Sequence, residues 1–154
     1  MVTTTRQIPA KLREFLDTLG MVTDPDERAS MLMSYADRFR EVPPEIATPP
    51  FSSDHRVQYC DSEAFVWAIP QPDGTLRFYF AVENPSGISA KALAVVLERT
   101  LSGERPEEVA NVSSEIVYQI FRQNISMGKG MGLMSMVQAV QHLARQHIAS
   151  TRAG

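Results

Sequence analysis

The stretch RVQYCDSEAFVWAIPQPDGTLRFYFAV, Arg56 to Val82, decides the fold class. Leu76, Phe78, Phe80 and Val82 alternate with Arg77 and Tyr79, the period of a strand with one core face and one wetter face. Glu63 to Ile69 is also rich in β-branched and aromatic residues. Here Ala64, Val66 and Ala68 oppose Phe65, Trp67 and Ile69, so this strand is predicted to be central or covered on both faces. Asp73-Gly74 supplies the turn that joins the pair. Arg56 to Tyr59 reads as a further short strand, for three antiparallel strands in all.

Outward from this core the apolar spacing becomes helical. Leu12, Phe15, Leu16 and Leu19 form one face of a first helix that Gly20 stops. Asp24-Pro25-Asp26-Glu27 places an N-cap, a proline in the first turn and acidic residues behind it, ahead of Leu32, Tyr35, Ala36 and Phe39. Pro43, Pro44, Pro49 and Pro50 forbid a helix between Val42 and Ser53 and favour an ordered, extended connector. Past Pro85 and Gly87, a broad apolar stripe from Ile88 to Leu101 predicts a helix closed by Gly103. Short helices are expected from Pro106 and from Ser113-Ser114-Glu115 through Phe121. Glycine-rich Gly128 to Gly132 is then expected to precede a long helix ending near Ala149. Strands segregated from helices argue for an α+β fold, a small three-stranded antiparallel sheet packed by N- and C-terminal helices.

At 154 residues the chain fits a single domain, 1–154, able to bury a core without staples. No apolar run reaches the roughly 20 residues a membrane span needs. Met1 to Lys11 has no apolar segment behind its basic residues, so a cytoplasmic protein is expected. A formal charge of -3 with scattered Lys and Arg gives no field for nucleic acid. One cysteine excludes an internal disulfide, and the histidines at 55, 142 and 147 do not complete a zinc site.

Cys60 falls between the first two predicted strands. A lone cysteine is most often a small buried hydrophobe. Its neighbours Asp54, His55, Arg56, Asp61, Ser62 and Glu63 are strongly polar, which places it at the sheet rim near solvent or in a built pocket. From Phe15 to Ala144 the sequence resembles the SufE and CsdE family of sulfur acceptors. Val57, Cys60, Ser62 and Phe65 stand where that family has its valine, carrier cysteine, serine and aromatic residue. Arg38 to Glu45 resembles its proline-containing segment, Ser86 to Leu101 the helix bearing a basic residue, here Lys91, and Ser126 to Leu133 the run before its last helix. Tyr59 stands at the family's glycine, Lys129 at its arginine and Met131 at its asparagine.

The resemblance implies an α+β fold of the SufE and IscU kind and a persulfide relay in which the protein is an accessory rather than an enzyme. The Cys60 thiolate would take sulfane sulfur from a SufS-type, pyridoxal-phosphate-dependent cysteine desulfurase, stimulate it, and pass the sulfur to a SufB-type iron–sulfur scaffold. No cofactor is bound, only a transient persulfide on Cys60, and the assembly leaves room for a homodimer. Thiol–disulfide exchange runs through the thiolate. Asp61 and Glu63 disfavour that anion, so a compensating cation is expected among Arg56, His55 and Lys129. Lys129 is the choice, by its family position, for stabilising the thiolate or persulfide.

Other signals are weaker. Gly128-Lys129-Gly130-Met131-Gly132 lacks the preceding strand and spacing of a nucleotide loop; a turn allowing close backbone approach is the plainer reading. Met127, Met131, Met134 and Met136 read as core filler more readily than as a partner surface. His55 with Cys60 would suggest a thiol hydrolase, but no orienting Asn or Asp is identifiable. His142 and His147 miss the spacing of metal ligands on a helix. The alternative to a carrier is a binding module of the same fold that regulates a desulfurase or another partner without taking sulfur.

Overall fold

The computed structural model describes residues 7–122 and 125–153. Two helices come first, α1 (Ala10–Gly20) and α2 (Pro25–Asp37). Asp24 caps α2 as its sequence predicts, its side chain accepting from the Asp26 amide, with Pro25 in the first turn. The hairpin β1 (Ala64–Pro70) and β2 (Leu76–Val82) follows, in a register that opposes Ala64 to Val82 and Pro70 to Leu76. Then come α3 (Ile88–Leu101), the short α4 (Pro106–Val109) and α5 (Ile116–Phe121), and the long α6 (Met127–Ala153). Gly103 closes α3 at φ +78°, a conformation that favours a residue without Cβ.

The fold is α+β, but the described residues form a two-stranded sheet and not three strands. Arg56 makes a single bridge to Phe65 and goes no further. Extended pairing stops because Tyr59 turns into the left-handed region at φ +57°, as does Glu63 at φ +54°. β-propensity at Arg56–Tyr59 could not reveal that reversal. The glycine-rich run is a second correction: Gly128 to Gly132 lies inside the first turns of α6, which continues to Ala153.

α2 packs along α3, α3 lies against β2, and α6 against β1. The main core joins Ala64, Val66, Phe78, Phe80 and Val82 to Leu93, Leu97, Met136, Val137 and Val140. Each fully buried side chain of this size contributes roughly 1.5–3 kcal/mol by leaving water. The opposite sheet face is also covered. Phe65, Trp67 and Ala81 meet Val42 from the proline-rich connector, and Phe51 packs edge-on to Trp67 with ring centroids 5.2 Å apart. This agrees with the expectation that Glu63 to Ile69 is enclosed on both sides.

The outer edge of β2 is occupied from Leu76 to Phe80. The Leu76 carbonyl accepts from the Gly103 amide at 2.9 Å, and the Phe78 amide donates to Ser102 Oγ at 3.0 Å. The Phe80 carbonyl accepts from the Val42 amide at 2.9 Å. Elsewhere a buried arginine fastens the helices. Arg28 Nη1 donates to the Leu19 carbonyl at 2.5 Å and Val22 at 3.3 Å, and Nη2 to Gln119 at 2.7 Å and Ile120 at 2.8 Å. No helix of the described residues is long and apolar enough to cross a membrane.

Candidate functional site

The loop from Val57 to Ala64 is closed at its base by the Val57 amide donating to the Ala64 carbonyl at 2.9 Å. Within it the Glu63 amide donates to the Cys60 carbonyl at 3.1 Å, forming a tight turn with the left-handed Tyr59 just outside and Glu63 at its end. The turn carries Cys60 inward, so that the residue is 7% exposed although its neighbours Tyr59 and Asp61 face solvent. The sequence left the thiol between solvent and a pocket. It lines a cavity of about 110 Å³.

Two helix N-termini meet at this cavity. Gly87, the N-cap of α3, and Ser89 in its first turn form one wall. Gly128, Lys129 and Gly132 from the start of α6 form the other. The Lys129 amide donates to Ser126 Oγ at 3.3 Å, which satisfies one of the free amides at that helix start. Each helix N-terminus acts as roughly half a positive charge, so both favour an anion on the Cys60 side chain. Lys129 adds a full positive charge, and Asp61, which lines the same cavity, a full negative one. Lys129 is the cation among the described residues lining the cavity.

Glycines allow the walls to approach so closely. A Cβ on Gly132 would lie 2.9 Å from the Tyr59 carbonyl oxygen and 3.1 Å from Cys60 Cα. One on Gly87 would lie 2.8 Å from Val82 Cγ1 and 3.0 Å from Ser62 Cβ. Close backbone approach is thus what the glycine-rich run provides, though from a helix and not from a turn.

Asn84 is the latch that sequence reasoning missed. Its Nδ2 donates to the Asp61 carbonyl at 3.1 Å and its amide to the Ser62 carbonyl at 3.2 Å. Its Oδ1 accepts from the Ser86 amide at 2.9 Å and its carbonyl from Gly87 at 2.9 Å, which turns the chain into α3. The Asn84-Pro85 pair was the available signal, because Asn before Pro starts turns.

The other candidates for the charge partner lie elsewhere. His55 stacks on Trp67 at 5.1 Å, and its Nδ1 donates to the Val66 carbonyl at 3.1 Å. His55, Arg56 and His142 line a separate groove of about 490 Å³ between the loop and α6. His147 instead reaches the hairpin turn, Nε2 lying 3.1 Å from the Gly74 carbonyl oxygen. Among the described residues no three His, Cys, Asp or Glu side chains gather as metal ligands. Met136 is buried as core filler, whereas Met127 and Met131 are exposed on the first turns of α6.

This arrangement holds one thiol in a small recess whose wall carries Lys129, Asp61 and two helix N-termini. The family model for SufE, described as an Fe-S metabolism associated domain, matches residues 13–144. Among solved structures, the solution structure of a hypothetical protein from Thermus thermophilus is similar at 26% identity and a TM-score of 0.74. The match covers 93% of this chain and 99% of that one. No curated protein matches.

Proposed function

The chain belongs to the SufE family of Fe-S metabolism associated domains, and from that premise we propose that it is a cytoplasmic sulfur acceptor working with a pyridoxal-phosphate cysteine desulfurase. The Cys60 thiolate attacks the outer sulfur of the desulfurase's cysteine persulfide. A sulfur–sulfur bond forms on Cys60 as the donor's own breaks, and the donor leaves as a thiolate, so no external oxidant or reductant is consumed. The new persulfide is also an anion, and it is later attacked in the same way by an iron–sulfur scaffold.

The observation that supports this reading is the convergence of the α3 and α6 N-termini and Lys129 on one cavity around Cys60. Helix N-termini and a lysine favour an anionic sulfur, against the opposing charge of Asp61. The test is intact mass after incubation with the desulfurase and free cysteine. The native protein gains one sulfur atom and Cys60→Ser gains none. Complex formation without a mass gain would leave a non-carrier module and end the carrier reading.

A further inference from the structure

Lys11, Arg38, Arg40, Arg77 and Arg99 are scattered along the sequence, but the fold gathers them. Arg38 and Arg40 line a hollow of about 410 Å³ beyond the end of α2. Lys11 and Arg77 line one of about 610 Å³ bounded by α1, the hairpin and the end of α3. Glu98 and Arg99 line both, so the two hollows form one continuous face over the C-terminal half of α3. All five cations are exposed. Three carboxylates share the face, Asp37, Asp73 and Glu98. It thus holds five of the fifteen Lys and Arg residues against three of the eighteen acids, a positive patch on a protein of formal charge -3.

Its arginines lack carboxylate partners. Among the described residues the ion pair is Lys11–Glu104 at 3.4 Å, and no carboxylate comes within 4.0 Å of the Arg38, Arg40, Arg77 or Arg99 guanidinium. Asp73 is engaged in its own turn, Oδ1 accepting from the Thr75 amide at 3.0 Å and the Thr75 hydroxyl at 2.6 Å. Two of the arginines are also held flat. Arg38 lies 5.6 Å over the Tyr35 ring and Arg77 5.2 Å over the Tyr79 ring, and both rings are packed against the hydrophobic clusters. A guanidinium laid face-on to an anchored ring keeps its N–H edge for a second partner and loses less freedom on binding it.

We propose that this face is a docking site for an acidic segment of a partner protein, separate from the Cys60 cavity. The chemistry selects the class, because forked guanidinium groups pair with carboxylates two hydrogen bonds at a time. The cations come from α1, the residues just after α2, β2 and α3, a spread over two adjoining hollows that suits a chain bearing several carboxylates better than one small anion. No residue lines both this face and the Cys60 cavity. Gly87 borders that cavity at the start of α3, and Arg99 stands twelve residues further on, roughly 18 Å along the helix. A partner held here leaves the thiol open, and the inference stands whether or not Cys60 carries sulfur.

The experiment titrates the full chain into fluorescein-labelled hexaglutamate and reads anisotropy at low and at physiological salt. The native protein is expected to bind saturably, more weakly at the higher salt. Arg38→Gln with Arg40→Gln, and Arg77→Gln with Arg99→Gln, should each weaken binding about fivefold or more; Arg145→Gln with Arg152→Gln, an equal loss of charge on α6, should change it less than about twofold. Melting temperature identifies a variant that has lost its fold, and the two face pairs, on different elements, then stand in for one another. No binding by the native protein, equal affinity for hexaglutamine, or equal weakening by all three double variants overturns the site. So does displacement of the peptide by inorganic phosphate or a single-stranded DNA hexanucleotide at lower concentration than by unlabelled hexaglutamate, because the face would then be reading phosphates.

Discussion

Replacing Arg28 with alanine should be among the most damaging single changes to the fold. The guanidinium is 2% exposed and reaches four carbonyls: Leu19 in the last turn of α1, Val22 just beyond it, and Gln119 and Ile120 in the last turn of α5. Helix C-termini are the negative ends of their dipoles, so one cation bridges two of them. Burial and the nearby Arg122 pull the Arg28 pKa below its ordinary value, yet a guanidinium keeps its proton at any ordinary pH. Hydrogen bonds to a charged group are worth about 1.5–3 kcal/mol each. Three good bonds and one long one would sum to more than is lost, because removing the arginine also relieves its desolvation. That relief includes Nε, which is buried without a partner among the described residues. Each buried carbonyl left without its partner costs about 1–3 kcal/mol, and with that relief set against four of them the expected loss is about 3–5 kcal/mol. For a domain of this size it lowers the melting temperature by roughly 6–20 °C. Arg28→Lys should recover less than half, since one ammonium cannot fork between two helix ends. Urea unfolding followed by circular dichroism gives the free energy directly. A loss under about 1 kcal/mol for Arg28→Ala at unchanged m value would refute the reasoning.

Three further outcomes are expected. Gly128→Ala, with nothing within 4 Å of the new methyl, should stabilise by up to about 1 kcal/mol, whereas Gly132→Ala on the same helix should destabilise by about 1–2 kcal/mol by overpacking; equal signs in thermal melts would discredit the close approach to Cys60. Lys129→Ala should slow iodoacetamide alkylation of Cys60 roughly two- to fivefold at low salt, with Lys129→Arg near native, in the range of an exposed ion pair; an identical rate–pH curve would take Lys129 out of the site. Partial burial first, and Glu83 after it, raise the Glu41 carboxyl above its ordinary 4.5. A raised acid binds more protons folded than unfolded, so its contribution is fully present below about 4.5 and is lost as pH rises through the folded pKa. Glu41→Gln should therefore stabilise the protein at neutral pH and lose that advantage below pH 4.5, as melting across pH would reveal.

Local chemistry that acts within a few residues was legible. Asp24 and Pro25 started α2, Gly103 ended α3, and Asp73-Gly74 turned the hairpin, Asp73 Oδ1 accepting from the Thr75 amide at 3.0 Å. The third strand was misread because β-propensity at Arg56–Tyr59 carries no sign of the left-handed turn at Tyr59. Gly128 to Gly132 was misread for the opposite reason: glycine disfavours helix, but missing side chains at Gly130 and Gly132 let α6 pack on Tyr118 and on the Cys60 loop. Arg28 gave no signal at all, since an arginine on an amphipathic helix ordinarily faces water. In the site, Cys60 and Lys129 were paired through family resemblance and not through spacing. Their meeting depends on how α6 folds back from the far end of the chain, which no local pattern encodes.

The occupied rim of β2 limits how this molecule can be approached. Leu76, Phe78 and Phe80 each already commit a backbone group to Gly103, Ser102 or Val42. An incoming peptide would find no ladder to extend there, and neither would a misfolded copy seeking to template a fibril. Recognition by strand addition on that side is thereby closed, which leaves side chains and helix ends as the language in which a partner must speak to it.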